Sequence, residues 1–120
     1  MNCPFCKINN VILETPLFKV IRDKYPVAPG HTLIIPKRHA VTYFDLTGEE
    51  VDELWTMVGE IKVGLDNEFE PDGYNVGFNV GETAGQTVMH CHIHIIPRYS
   101  GDMEDPRGGV RGVIPDKQKY

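Results

Sequence analysis

The stretch His90-Cys91-His92-Ile93-His94-Ile95-Ile96 places three of the chain's five histidines at alternate positions. Successive side chains of an extended strand point to opposite faces, so this spacing predicts one face of histidines and one apolar face. Imidazole titrates near neutral pH and acts as a nucleophile, a proton donor or a metal ligand, so we expect the three rings to converge on one reactive spot. The alternative is a solvated histidine-rich segment, which the apolar alternation and the internal position disfavour.

Shorter patterns around this strand predict further strands and a tail. Strands are expected over residues 17–23, 31–35 and 74–80, because apolar runs there are bounded by proline or glycine. A loop at 81–85 joins the last of these to the histidine strand, which predicts an antiparallel pair. Residues 100–120 are rich in glycine, charge and proline and show no periodicity, so they are expected to form a tail.

One long helix is predicted to begin just after Thr47. The stretch Thr47-Gly48-Glu49-Glu50 matches a capping box, in which the first and last side chains bond each other's backbone. Apolar residues follow it at helical spacing: Val51, Leu54, Trp55, Val58, Ile61 and Leu65. These elements together predict an α+β domain in which the helix covers one face of an antiparallel sheet.

Bulk composition narrows the class of protein. A length of 120 residues fits one domain, and a formal net charge of -5 argues against general binding to nucleic acid or to a membrane surface. No apolar run approaches the length of a membrane span, and the first residues do not resemble a secretory leader. Three cysteines are too few for a disulfide framework, and Cys91 lies on the apolar side of its strand. We therefore expect a cytoplasmic protein with reduced cysteines.

The stretch Cys3-Pro4-Phe5-Cys6 has the spacing with which two thiolates grip one zinc ion. A closed tetrahedral site needs two further ligands, and His39 and His90 are the candidates. Two other interpretations remain open: both cysteines are reduced core residues in an N-terminal turn, or they form a thioredoxin-like redox pair. The redox pair is disfavoured because residues 1–10 do not form part of a βαβ pattern.

The loop that precedes the histidine strand has the composition of a phosphate-binding segment. Between Gly81 and Val88 it combines small residues, which let backbone approach a ligand, with an amide and a hydroxyl. A histidine next to such a loop can attack phosphorus and divide one difficult displacement into two easier ones. His92, in the middle of the row, is the best placed nucleophile. An ordinary hairpin connection is the alternative for the loop alone.

These motifs together resemble the histidine triad (HIT) superfamily of nucleotide hydrolases and transferases. The histidine strand resembles the family signature, Pro29-Gly30-His31-Thr32-Leu33-Ile34-Ile35-Pro36 resembles its second block, and Gly85-Gln86-Thr87-Val88 resembles the segment before the signature. The resemblance implies an α+β domain over residues 1–99, with a five-stranded antiparallel sheet, one long helix and a short N-terminal helix. It also implies a homodimer that binds a purine nucleotide, with adenine expected, and cleaves it at the α-phosphorus.

The resemblance also implies a role for each matching residue. His92 would form the nucleotidyl-histidine intermediate, His94 would assist the transfer, His31 would complete the pocket, and the Thr87 hydroxyl would lie near the leaving group. The residues implied to bind the nucleotide are Asp23, Asn79, Gln86, Thr87, Val88, Phe5, Ile8 and Ile21, of which the last three have simple core packing as their alternative. The implied ligands of a structural zinc ion are Cys3, Cys6, His39 and His90.

The leaving group and the final acceptor divide the superfamily. Hint-like members resemble phosphoramidases, whereas fragile-histidine-triad-like members split dinucleoside polyphosphates. Thr87 and the Pro26–His31 stretch favour the second branch slightly, and the compact start at Cys3 favours the first. Arg107 and Arg111 of the tail would hold extra phosphates if the tail folded over the site; a tail that is solvated or packed on a dimer partner is the alternative.

His94 stands where transferases of the superfamily typically have glutamine, and this favours water as the acceptor. The remaining alternatives are a nucleotidyl transferase or phosphorylase, and a zinc-containing scaffold that binds nucleotide without turnover.

Overall fold

Five strands form one antiparallel sheet in the computed structural model, which describes residues 3–120. In chain order they are β1 (Leu13–Glu14), β2 (Phe18–Arg22), β3 (Thr32–Pro36), β4 (Gly73–Gly77) and β5 (Ile93–Arg98). Their order across the sheet is β1-β2-β3-β5-β4, and every neighbouring pair is antiparallel. This confirms the α+β class and the five-stranded sheet. The predicted pairing of β4 with β5 is also present, although residues 78–92 separate the two strands.

The predicted helix is α1 (Gly48–Phe69), and its capping box is present. The Thr47 hydroxyl accepts a hydrogen bond from the Glu50 N–H, and the Glu50 carboxylate accepts one from the Thr47 N–H at 2.8 Å. A buried stripe of Leu54, Met57, Ile61 and Leu65 packs on one face of the sheet. Trp55, expected on this stripe, is 45% exposed instead, because it lies about 100° around the helix from Leu54, at the margin of the stripe.

The other face of the sheet carries the polar side chains. Along β5 the isoleucines 93 and 95 are fully buried towards α1, whereas His94, Ile96 and Arg98 alternate with them and are half-buried. A smaller apolar cluster on this face joins Ile21 and Leu33 to the N-terminal segment. Cys91 is core, as expected, and burial raises the pKa of its thiol to about 12. The sheet thus buries one face under the helix and leaves the other for a site.

Two local predictions at the strand and at the N-terminus are wrong. The histidine strand begins only at Ile93, because the Cys91 N–H bonds the Ala40 carbonyl at 2.7 Å instead of continuing the ladder with β3. His90 therefore leaves the row and lies fully buried elsewhere. Residues 4–6 form a turn rather than the short N-terminal helix, closed by the Cys6 N–H on the Cys3 carbonyl at 3.2 Å.

The C-terminal tail folds on itself through two short 3₁₀ helices, Gly109–Val113 and Pro115–Lys117. The Arg111 guanidinium donates to the carbonyls of Lys117 and Gln118, and Arg107 pairs with Asp105 at 3.0 Å. Both arginines are thus engaged within the tail. None of the helices in residues 3–120 is long and apolar enough to cross a membrane.

Candidate active site

A cleft of about 590 Å³ lies on the polar face of the sheet, where β2, β3 and β5 meet the loop before β5. It brings together most of the residues predicted from sequence: Phe5, Ile21, Asp23, His31, Asn79, Thr87, Val88, His92 and His94. Apolar side chains line one part of the cleft, and the histidines, Asp23 and Asn79 line the rest. A site with an apolar wall and a few convergent polar groups is the usual form of a small-molecule site.

The hydrogen bond of His92 fixes its tautomer. Its Nδ1 lies 2.8 Å from the His90 carbonyl oxygen, which can only accept a hydrogen bond. The proton of neutral His92 therefore lies on Nδ1, and Nε2 keeps a free lone pair. This is the state that a nucleophilic imidazole requires, and the backbone holds the ring in place.

His31 and His94 form a second unit beside His92. The Val27 N–H donates to His31 Nδ1 at 3.0 Å, so neutral His31 carries its proton on Nε2. That Nε2 lies 2.9 Å from His94 Nδ1 and 3.3 Å from the Asp23 carboxylate. His94 accepts the hydrogen bond and therefore keeps its own proton on Nε2. The chain of bonds leaves one imidazole N–H for a ligand, next to the free lone pair of His92.

Burial keeps this unit uncharged at neutral pH. Burial first, and then the neighbouring rings of His92 and His31, lower the pKa of His94 from 6.5 to about 4. Burial also lowers the pKa of His31, while the Asp23 carboxylate opposes that shift. His94 therefore acts as a neutral hydrogen-bond donor rather than as an imidazolium.

Asp23, His31 and His94 also bring potential ligand atoms within 4.8 Å of one another. A metal there would need the lone pair of His31 Nε2, but the Val27 N–H already occupies Nδ1 and places the proton on Nε2. This group is therefore a hydrogen-bond relay and not a metal site.

Gln86 and Ile8 do not line the cleft, in contrast to the other residues predicted to bind nucleotide. The Gln86 amide is 2% exposed, accepts from the Gly81 N–H at 2.9 Å and donates to the carbonyls of Val41 and Val88. It supports the loop that carries Thr87 and Val88, so its polar atoms are already satisfied. Ile8 packs against the apolar cluster that contains Ile21, so it belongs to the core and does not face the cleft.

The sequence reasoning missed two residues at the mouth of the cleft, Lys24 and Tyr25. Among the described residues, Lys24 is the one lysine or arginine that lines it. The Tyr25 N–H donates to the Asp23 carboxylate at 2.8 Å, so the turn also positions Asp23. The signal that could have identified them is their position directly after Asp23, at the end of β2.

Cys3, Cys6, His39 and His90 form a second cluster, and their ligand atoms all lie within 4.8 Å of one another. Four of the separations between these atoms run from 3.1 Å, between the Nδ1 atoms of His39 and His90, to 3.5 Å, between Cys6 Sγ and His90 Nδ1. Tetrahedral zinc with bonds of about 2.0–2.3 Å separates its ligand atoms by roughly 3.3–3.8 Å, so the group can hold such an ion.

The tautomer of His90 agrees with a ligand role. Its Nε2 lies 2.8 Å from the Pro36 carbonyl, so the proton is on Nε2 and the Nδ1 lone pair faces the two cysteines. Arg38 ties the turn of His39 to α1, because its guanidinium pairs with Glu50 at 2.9 Å. The cluster and the cleft share an element, since the His90 backbone holds His92.

A second cavity of about 360 Å³ adjoins the cleft across His31, His94 and Asn79. Val110 and Val113 of the tail, together with apolar residues of β4 and β5, form its far side. The described lining holds no lysine or arginine. The tail thus approaches the site with valines and not with its two arginines.

The sequence pattern of the HIT domain matches residues 7–101. The chain belongs to the HIT family. The "Protein hit" of Bacillus subtilis is 42% identical over 106 residues, which are 82% of this chain and 72% of that protein. The bis(5'-adenosyl)-triphosphatase of Dictyostelium discoideum is 39% identical and the asymmetrical bis(5'-nucleosyl)-tetraphosphatase of Schizosaccharomyces pombe is 36% identical, each over 81% of this chain. The match spans 65% and 53% of those two proteins.

Solved structures of HIT proteins share the fold. A HIT family protein from Bacillus anthracis superposes with a TM-score of 0.79 at 38% identity, covering 84% of this chain and 76% of that chain. A zinc-bound histidine triad protein from Mycobacterium smegmatis gives a TM-score of 0.78 at 34% identity, covering 87% of this chain and 80% of that chain. The predicted family membership is therefore confirmed.

Proposed function

We propose that this HIT protein is a nucleotide hydrolase that cleaves its substrate at the α-phosphorus and releases a nucleoside monophosphate. The observation that carries the proposal is the pairing of a free His92 Nε2 with a neutral donor on His94 in one cleft. The names of two relatives support it, since both are hydrolases of nucleoside polyphosphates.

In the proposed reaction, His92 Nε2 attacks the α-phosphorus and a phosphorus–nitrogen bond forms as the bond to the leaving group breaks. Water then hydrolyses the nucleotidyl-histidine, so one water is consumed for each substrate molecule that is cleaved. The His94 N–H and the Thr87 hydroxyl donate to the phosphate oxygens, on which negative charge grows. Asn79 assists on the same side, and Asp23 binds the ribose hydroxyls.

The two candidate substrate classes differ in the group that leaves the α-phosphorus. The relatives named above favour dinucleoside polyphosphates, and Lys24 offers a cation at the mouth of the cleft. The adjoining cavity favours an uncharged leaving group, as in a nucleoside phosphoramidate, because its described lining offers no lysine or arginine to neutralise the charge of further phosphates. Arg107 and Arg111 contribute to neither cavity.

We propose that the Cys/His cluster holds a structural zinc ion. Four protein ligands leave no position for water or substrate, so the ion would stabilise the fold and take no part in bond breaking. The zinc-bound relative supports this assignment. The ion would fix His90, whose carbonyl orients His92.

A homodimer that joins two sheets is also proposed. Within residues 3–120, β4 pairs with β5 on one side only, so its other edge is free to accept a strand. Near this edge the rings of Tyr43 and Phe78 stack with their centroids 4.4 Å apart, and Phe44 is 73% exposed. Exposed aromatic groups beside a free strand edge favour association with a second copy. Light scattering tests this, and a monomer at micromolar concentration would refute it.

The deciding experiment is mass spectrometry of protein quenched soon after mixing with adenosine phosphoramidate or diadenosine tetraphosphate, with the products quantified in parallel. An adenylyl mass on the peptide that contains His92 supports the covalent mechanism, and the faster substrate identifies the leaving group. A mixed product after addition of inorganic phosphate would indicate a phosphorylase. AMP binding without adduct or product would indicate a scaffold.

A further inference from the structure

Phe5 belongs to both sites of the molecule. It lies between Cys3 and Cys6 in the turn that supplies two of the four cluster ligands, and its side chain lines the cleft. Its ring meets the His92 ring edge-on, with centroids 4.9 Å apart, and the His90 ring at 6.2 Å. One aromatic side chain therefore contacts the nucleophile and a cluster ligand while it forms a wall of the substrate cleft.

The turn that carries Phe5 is attached to the rest of the protein through the cluster and through a small set of apolar contacts. In the described part of the chain, residues 3–11 make their polar contacts with the body only through the two thiols, which meet His39 and His90. The remaining attachment is apolar, through Phe5, Ile8 and Val11 on the sheet. Within the turn, one backbone hydrogen bond, from the Cys6 N–H to the Cys3 carbonyl, closes the loop.

A bound metal would replace these weak thiol contacts with coordinate bonds and hold the turn against the sheet. Without it, the apolar contacts alone would keep Phe5 in the cleft, and the entropy of freeing a short N-terminal segment opposes them. The position of the Phe5 wall thus depends on the occupancy of a site that lies outside the cleft.

We propose that Phe5 is a positioning residue that couples metal occupancy of the Cys/His cluster to the affinity of the cleft for nucleotide. This inference rests on the proposed function, since it takes the ligand of the cleft to be a nucleoside monophosphate. The apolar wall of Phe5, Ile21 and Leu33 receives the base, and the polar end of the cleft receives the phosphate. Coupling is reciprocal, so bound nucleotide tightens metal binding by the same factor.

The test is a cycle of AMP affinities measured by calorimetry on the zinc-loaded and the metal-stripped protein. Loss of one aromatic contact with a base weakens binding roughly 5- to 100-fold, and stripping the wild-type protein is expected to raise the Kd for AMP within that range. The variant Phe5→Ala should bind AMP weakly in both states, with no further loss on stripping. The control Asn9→Ala lies in the same segment, exposed and outside both the cleft and the apolar contacts that hold the segment, so it should keep the wild-type response.

A second measurement needs no variant and covers the case in which Phe5→Ala fails to fold. Competition for zinc with a chromogenic chelator, with and without saturating AMP, should show tighter zinc binding when AMP is present. An equal loss on stripping in Phe5→Ala and the wild type, or a zinc affinity that AMP leaves unchanged, would overturn the coupling. A zinc-loaded wild-type protein that does not bind AMP at all would instead overturn the proposed function.

Discussion

At the scale of single residues, the chemistry depends on where each imidazole proton lies. The His90 carbonyl, the Val27 N–H and the His31 Nε2–H together assign a tautomer to three rings. Because of these assignments, neighbouring histidines present opposite groups to a ligand: a lone pair on His92 and an N–H on His94. Two imidazoles of one type thus offer a lone pair and an N–H side by side, which are the two groups that the proposed mechanism uses.

His92→Asn is expected to abolish turnover and to preserve nucleotide binding. Asparagine has similar size and retains a polar group, but its amide cannot form the covalent intermediate, so the rate should fall by a factor on the order of 10,000 or more. The measurement is steady-state turnover together with the Kd for AMP. Residual turnover within tenfold of the wild-type rate would refute the covalent mechanism.

Acid is expected to destabilise the fold through His94. Its pKa is about 4 when folded and 6.5 when exposed, so below 6.5 the unfolded chain binds the proton more readily. Its contribution to stability is therefore present above about 6.5 and is lost as the pH falls towards 4. After allowance for the partial exposure of the ring, the loss between neutral pH and pH 5 should be about 1 kcal/mol.

Urea unfolding of the wild type and of His94→Gln at both pH values isolates this contribution, because the effect of acid on the Cys/His cluster is common to both proteins. The difference between their free energies of unfolding should narrow by about 1 kcal/mol on acidification. An unchanged difference would show that His94 titrates normally in the folded state.

Among the helices and strands, the contacts at the end of a segment fix its place in the fold as much as the apolar periodicity within it does. Helix α1 begins where Thr47 and Glu50 satisfy each other's backbone, and the same Glu50 carboxylate receives Arg38 from the turn that carries His39. The hydrogen bond from Arg38 is the largest cause of the lowered pKa of Glu50. The start of the helix thus anchors one side of the cluster.

Thr47→Ala is expected to lower the free energy of unfolding by about 1 kcal/mol, because it removes the side-chain cap of α1. Thr56→Ala is the matched control: Thr56 lies on the exposed side in mid-helix and bonds the Asp52 carbonyl of its own helix. Its replacement should leave stability within about 0.5 kcal/mol. Urea unfolding curves measure both variants, and equal losses would contradict the capping role.

At the scale of the whole molecule, one sheet connects two centres. The face opposite α1 holds the cleft, and the cluster joins the N-terminal turn to the segment before β5. The connection passes through His90, which contributes its side chain to the cluster and its carbonyl to His92. The proposed metal site and the proposed catalytic site therefore share a residue.

Chelation of the cluster metal is expected to lower the melting temperature by several degrees, since the metal binds only the folded arrangement of four ligands from distant parts of the chain. Cys6→Ser should melt at the temperature of the chelated wild type and show no further decrease with chelator. Thermal melts followed by circular dichroism measure both. A melting temperature that chelation leaves unchanged would refute a structural role for the metal.

The pattern of residues in the sequence predicted α1, four of the five strands and the inventory of reactive groups, but not the short β1. The capping box at Thr47 specified the start of α1, and the alternation from Ile93 specified which face of β5 meets the helix, because both signals are local and follow from backbone geometry. Through its resemblance to a family, the sequence also named most of the residues that line the cleft.

How those groups are used depends on the packing of distant segments. This packing turned the His90 ring away from the row of histidines, occupied the Gln86 amide with backbone groups, and engaged the Arg111 guanidinium with carbonyls of its own segment. It also fixed the tautomer of His31 through the Val27 N–H. Each outcome depends on which backbone group a side chain meets, often tens of residues away. Periodicity determines the face on which a side chain lies, but the partner there is set by how distant segments pack.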